Sequence, residues 1–205
     1  ALLLKRKRII HKAANKLDVF REIIYNRFQE IGNLKYTLVY VPEGNMTDAD
    51  TADNFDVSNP DDDYTSHLID TYTSVIREVS PRTTVMRFTS DTQDRKQILE
   101  QFATGELEVL ASMKCLDEGV DVPRSEMAVF CASTGNPRQF IQRRGRILRR
   151  HPDKHNAIIH DLVVIPEVDE RSDSFNMERS LLGGELKRVR NFALLSENAD
   201  ASIKE

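Results

Sequence analysis

The stretch 83–112, TTVMRFTSDTQDRKQILEQFATGELEVLAS, changes its hydrophobic period twice. TTVMRFT is short and rich in β-branched and aromatic residues, as a strand requires. Asp91-Thr92 then offers a side-chain oxygen to cap a helix that carries Ile98, Leu99 and Phe102 inward. Gly105 supplies a left-handed stop, and LEVLAS reads as the next strand. Strand, helix and strand in succession point to a parallel sheet with helices packed on it.

The same alternation extends in both directions. Residues 1–31 carry Ile9, Ile10, Ala13, Leu17, Phe20, Ile24 and Phe28 at helical spacing, and Gly32-Asn33 ends the run. KYTLVYV follows as a strand that stops at Pro42. Between 64 and 80 an amphipathic helix presents Leu68, Tyr72, Val75, Ile76 and Val79 and must end before Pro81. MAVFCAS and NAIIHDLVV supply two further strands, separated by a helix that Asn136-Pro137 starts. The expected fold is α/β: a parallel sheet covered by helices on both faces, three layers deep, with helical appendages at both ends.

Three segments fall outside this core. Residues 1–33 read as a linker helix, and 43–63 as an acidic insertion exposed to water, because it holds many acids and almost no large apolar group. Its spacing does not follow an EF-hand loop. Residues 166–205 read as a charged linker followed by a helix around MERSLLGGELKRVRNFALL.

Composition narrows the function. With 205 residues and 40% hydrophobic content the chain can bury a full core, and a formal charge of -4 excludes a uniformly basic coat for nucleic acid. Polyanion binding must then come from a local patch. Cys115 and Cys131 have neither CxxC spacing nor neighbouring histidines, as expected of buried thiols in a reducing compartment, and no metal ligand set is evident. The opening Ala-Leu-Leu-Leu is too short for a signal peptide or a membrane span, so the expectation is a cytoplasmic protein without membrane contact. A start without methionine, on a helix already under way, suggests a fragment of a longer polypeptide.

The local patch is QFIQRRGRILRR, residues 139–150, and no acid occurs from Pro137 to Arg150. At about 100° per residue, Gln142, Arg146 and Arg149 share one helix face, with Phe140, Ile141, Ile147 and Leu148 on the far side. Guanidiniums are planar forks that match phosphate oxygens two at a time, so a convergent pair forms a phosphate clamp. Gly145, between them, permits close approach. Unrelieved like charge weakens a helix and calls for an external anion, although a solvated basic face is the plainer alternative. Arg138, Arg143 and Arg150 have two readings, contact with a nucleic-acid backbone or simple solvation. Arg144 falls toward the apolar side, as a structural ion pair would. His151, His155 and His160 lack ligand spacing on one face.

QRRGRILRR resembles motif VI of superfamily 2 helicases and translocases, Q-x-x-G-R-x-x-R, and SMKCLDEGVDVP resembles motif V. KYTLVYV is similar to the strand of motif IV, and 87–112 to the stretch that joins motifs IV and V. The resemblance covers residues 34–165, in order and in register, and implies the second RecA-like domain of such a motor. It implies Arg146 and Arg149 as arginine fingers for the γ-phosphate of ATP, with Gln142 beside them. Gly119 and Asp121 would line the nucleotide, and Thr89, Ser90, Ser112, Arg138 and Arg143 would hold the nucleic-acid backbone. ATP with Mg²⁺ would be bound mainly by an N-terminal RecA-like domain of the same polypeptide.

Two departures qualify the likeness. No G-x-x-x-x-G-K-[ST] run is present, so this chain alone should not hydrolyse ATP. Asp117-Glu118-Gly119-Val120-Asp121 differs from the Ala-Arg-Gly-x-Asp of DEAD-box proteins, which favours DNA over RNA and motors of the repair and restriction type. The competing readings are a RecA-like DNA-binding module without catalysis and an unrelated α/β domain that binds a nucleotide for regulation.

Overall fold

A computed structural model describes residues 15–42, 62–113, 122–131, 137–165, 171 and 175–204, with backbone alone for 62–67, 137–140, 177, 181, 203 and 204. The elements run α1 (Asn15–Ile31), β1 (Thr37–Tyr40), α2 (Asp62–Val79), β2 (Val85–Phe88), α3 (Arg95–Thr104), β3 (Val109–Ser112), β4 (Met127–Phe130), α4 (Pro137–Ile147), β5 (Ile158–Asp161), α5 (Phe175–Ala193) and α6 (Ala199–Lys204). The chain separates after Leu162 into two compact units, the second holding α5 and α6.

The first unit is an α/β domain of RecA-like type. Its five strands lie in the order β2-β3-β1-β4-β5, and every neighbouring pair is parallel. The three inner strands are buried at all four positions, which is why their sequences are continuous apolar runs rather than alternating ones. The two edge strands are more open, with Met86 and Ile158 exposed.

Pleating sends alternate residues to opposite faces of the sheet. Val39, Ala111 and Val129 stand side by side and pack with Phe20 and Ile24 of α1 and with Leu68, Tyr72, Val75 and Ile76 of α2. Phe88, Ser112, Tyr40, Phe130 and Asp161 form a row on the other face, at the carboxyl end of the strands. Arg95 of α3 lies over Phe88 at 4.5 Å and Arg143 of α4 over Tyr40 at 5.0 Å, so these two helices cover that second face.

One helix start differs from expectation. The helix opens at Arg95 after Asp94, whose φ of 51° is left-handed and whose side chain makes no cap bond. Thr92 Oγ1, expected as part of the cap, instead accepts the N–H of Thr89 at 2.8 Å. The stop is as expected: Gly105 has φ 79° and its N–H reaches Phe102 O at 3.2 Å. The left-handed φ is what favours glycine there, and a Cβ would in addition meet the Tyr36 hydroxyl at 2.8 Å and make that side chain shift. Of the acidic insertion, residues 43–61 lie outside the described residues, and Asp62 and Asp63 open α2. Among the described residues no helix is long and apolar enough to cross a membrane.

Candidate functional site

Parallel strands force the connecting helix to run back along the sheet, so α4 descends from the carboxyl end of β4 toward the start of β5. Its exposed side carries Ile141, Gln142, Gly145, Leu148 and Arg149, while Arg144 and Arg146 are half-buried. Nothing lies within 4 Å of a Cβ placed on Gly145, so the face around it is open. Gln142 on the helix and Arg149, two residues past its end, are both exposed, and Arg146 is half-buried between them.

The roll of the helix differs from the wheel reading. Ile147 is fully buried, as expected, but its companion inside is Arg143, only 4% exposed, while Ile141 and Leu148 are 56% and 54% exposed. Arg143 lies one step C-terminal to Gln142, and about 100° of rotation turns it under the helix toward Tyr40. Tyr40 in turn packs edge-on against Phe130, with centroids 5.0 Å apart. Arg143, read from the sequence as a nucleic-acid contact or a solvated base, is buried with its guanidinium over the Tyr40 ring.

A second anchor was not foreseen. Lys154 donates from Nζ to the carbonyls of Ile147 and, at 3.1 Å, of Arg149, at the C-terminal end of α4. Burial lowers the pKa of its ammonium below the usual lysine value, and the nearby Glu126 carboxylate opposes that shift. Its turn is braced from both sides. Lys154 N–H donates to His151 O at 3.0 Å, Asp153 N–H donates to His151 Nδ1 at 3.2 Å, and Arg124 holds the Asp153 carboxylate at 2.5 Å. Arg124 itself lies 4.4 Å over the Tyr36 ring. The sequence signal for Lys154 was a lysine just past a helix C-terminus, where a cation can meet unpaired carbonyls.

The nucleic-acid candidates fare unevenly. Ser90 is exposed and Thr89 half-buried, both just beyond the carboxyl end of β2. The Thr89 N–H, a candidate phosphate donor, is already taken by Thr92 Oγ1. Ser112 has no exposed surface, and its carbonyl accepts the N–H of Val41 at 2.8 Å. Gly119 and Asp121 lie outside the described residues, as does the side chain of Arg138.

Behind the exit of β4 lies a buried polar group. Lys16 of α1, 4% exposed, donates from Nζ to Cys131 O at 3.0 Å. Burial raises the Cys131 thiol far above its ordinary range, and burial likewise raises Tyr72, its hydrogen-bond partner. Cys131 is therefore an inert thiol beneath the sheet edge. His160 of β5 is half-buried, and burial together with the Arg27 guanidinium lowers its pKa.

The sequence profile of the family described as the helicase conserved C-terminal domain matches residues 37–151, from the first strand to the end of the arginine helix. The chain belongs to that family. Its RecA-like fold is shared with the second domain of a solved helicase. A DNA 3'-5' translocase XPB2 of Sulfurisphaera tokodaii is 39% identical over 87 residues, 42% of this chain and 19% of the relative. A putative ATP-dependent helicase IRC3 of Saccharomyces cerevisiae is 36% identical over 77 residues, 37% of this chain and 11% of the relative. The helicase C-terminal domain thus aligns with less than a fifth of each of these curated relatives. Among solved structures, domain 2 of the DEAD-box helicase Mss116p bound to an RNA duplex shares the fold, with TM-score 0.54 and 13% identity over 94% of this chain and 73% of that one.

Proposed function

We propose that this domain is the second motor lobe of an ATP-dependent DNA helicase or translocase. Arg146 and Arg149 serve as arginine fingers and Gln142 as a polar neighbour of the nucleotide, which a first RecA-like lobe holds with Mg²⁺. The observation that carries this reading is the exposed side of α4, where Gln142 stands on the helix, Arg149 just past its end, and among the described residues nothing lies within 4 Å of a Cβ added to Gly145 between them. A guanidinium delivered to a transferring phosphoryl group when two lobes close is worth about 10³–10⁵ in rate. Gly119 and Asp121 belong to the same proposal, lining the nucleotide between the two tasks.

Thr89 and Ser90, with Arg138, are proposed to grip the backbone of the nucleic acid without reading its sequence. They stand at the carboxyl rim of the sheet, whereas Arg149 stands near the start of β5, so the two tasks occupy opposite ends of the domain. Ser112 and Arg143, both buried, support these surfaces from beneath. DNA is preferred to RNA because of Asp117-Glu118 in place of Ala-Arg and because the XPB2 relative is described as a DNA translocase.

The test joins this domain to an N-terminal RecA-like lobe that carries a phosphate loop and measures DNA-stimulated ATP turnover. Arg149→Ala and Arg146→Ala should each lower kcat by orders of magnitude with folding retained. Full turnover in both would reject the finger assignment. DNA binding that ignores both the lobe and ATP would favour a non-catalytic binding module instead.

A further inference from the structure

We infer that Lys154 is a positioning residue for the proposed arginine fingers, fixing the end of α4 and the two residues that follow it, from which they project. The inference rests on the reading of Arg146 and Arg149 given above, and it deepens that reading.

The last carbonyls of a helix have no partner within it, and the final turn frays unless a donor meets them. In α4 that turn is the working part: Arg149 N–H bonds Arg146 O at 3.3 Å and Leu148 N–H bonds Arg144 O at 3.0 Å, so the backbones of the two fingers are directly joined. Lys154 Nζ meets the carbonyl of Ile147, inside this link, and that of Arg149, at its end. Its positive charge also lies at the negative end of the helix dipole.

The lysine is itself held. Asp153, its neighbour, is fastened to Arg124, which stacks on Tyr36 at the foot of β1 and lies 3.8 Å from the Glu126 carboxylate. Glu126 faces Arg27 of α1 at 3.8 Å. The cap is therefore referenced to the sheet and to α1 rather than to solvent. With Arg143 and Ile147 setting the roll of the helix, Lys154 sets the position of its end. An unfixed end would let the guanidinium of Arg149 wander, and misplacement by about 1 Å can cost a reaction about 10²-fold.

The experiment uses the two-lobed polypeptide and compares Lys154→Met, Lys154→Arg and Arg149→Ala. Lys154→Met should lower kcat about tenfold to a hundredfold with little change in KM for ATP, and Lys154→Arg, which keeps donors in reach of both carbonyls, should restore most of it. Amide exchange at Leu148 and Arg149 should accelerate in Lys154→Met while the exchange of β1 and β4 stays unchanged. If Arg149→Ala abolishes turnover and Lys154→Met does not reduce it, the positioning role is wrong. If Arg149→Ala itself leaves turnover intact, the finger assignment is what fails, and exchange at Leu148 and Arg149 still decides whether Lys154 holds the turn.

Discussion

The ammonium of Lys16 reaches 3.0 Å to the carbonyl of Cys131, joining the first described helix to the exit of β4 across 115 positions of sequence. An acceptor buried at that depth keeps its partner or loses stability. Lys16→Ala should lower the unfolding free energy by about 1–3 kcal/mol, read from urea titration, because the carbonyl is left without its donor. Lys16→Met fills the same volume and removes a buried charge, so its loss should be smaller. Equal losses in the two variants would mean that the hydrogen bond, which both remove, and not packing is what Lys16 supplies.

Arg143 and Tyr40 invite a cleaner separation of fold from binding. The guanidinium is almost wholly buried over the ring, so Arg143→Met should cost about 1–2 kcal/mol of stability through the lost cation–π contact. DNA affinity at fixed salt should barely change. A variant of unaltered stability that binds DNA distinctly more weakly would return Arg143 to the backbone-contact surface.

Gly145 should behave in the opposite way. Glycine inside a helix is less stable than alanine by about 0.5–1 kcal/mol, and among the described residues nothing lies within 4 Å of a Cβ added at Gly145. Gly145→Ala should raise the melting temperature of the domain slightly while lowering turnover of the two-lobed enzyme. Unimpaired turnover would show that no surface closes on that helix face.

His160 predicts a pH dependence. Burial and Arg27 lower its pKa in the fold, so the unfolded chain takes up a proton near its ordinary value of about 6.5 while the folded chain does not. More protons are then bound by the unfolded state, and stability falls as pH drops below about 6.5. Urea midpoints measured at about pH 5.5 and 7.5 should differ less in His160→Gln than in the parent.

The strands were legible because β1, β3 and β4 are buried on both sides, which leaves mostly apolar residues in them, Thr37 and Ser112 excepted. The cap at Asp91-Thr92 was misplaced because Thr92 turns its hydroxyl back to Thr89, a local bond that competes with helix initiation. The roll of α4 was misjudged because an arginine counts as polar in any wheel, whereas Arg143 lays an apolar stem and a weakly hydrated head on Tyr40. Lys154 and Arg124 escaped notice because their partners are backbone carbonyls and a residue distant in sequence, and no periodicity encodes either.

The antiparallel course of α4 against the sheet has a mechanical meaning. Protein interiors are close-packed and resist compression, so five strands with helices on both faces tilt as a slab rather than bend. A tilt about an axis through the middle of the strands carries Ser90 one way and Arg149 the other, as the ends of a seesaw move. If the proposed roles of Arg149 and Ser90 hold, such a lobe needs no internal hinge to convert closure at one end into a stroke at the other.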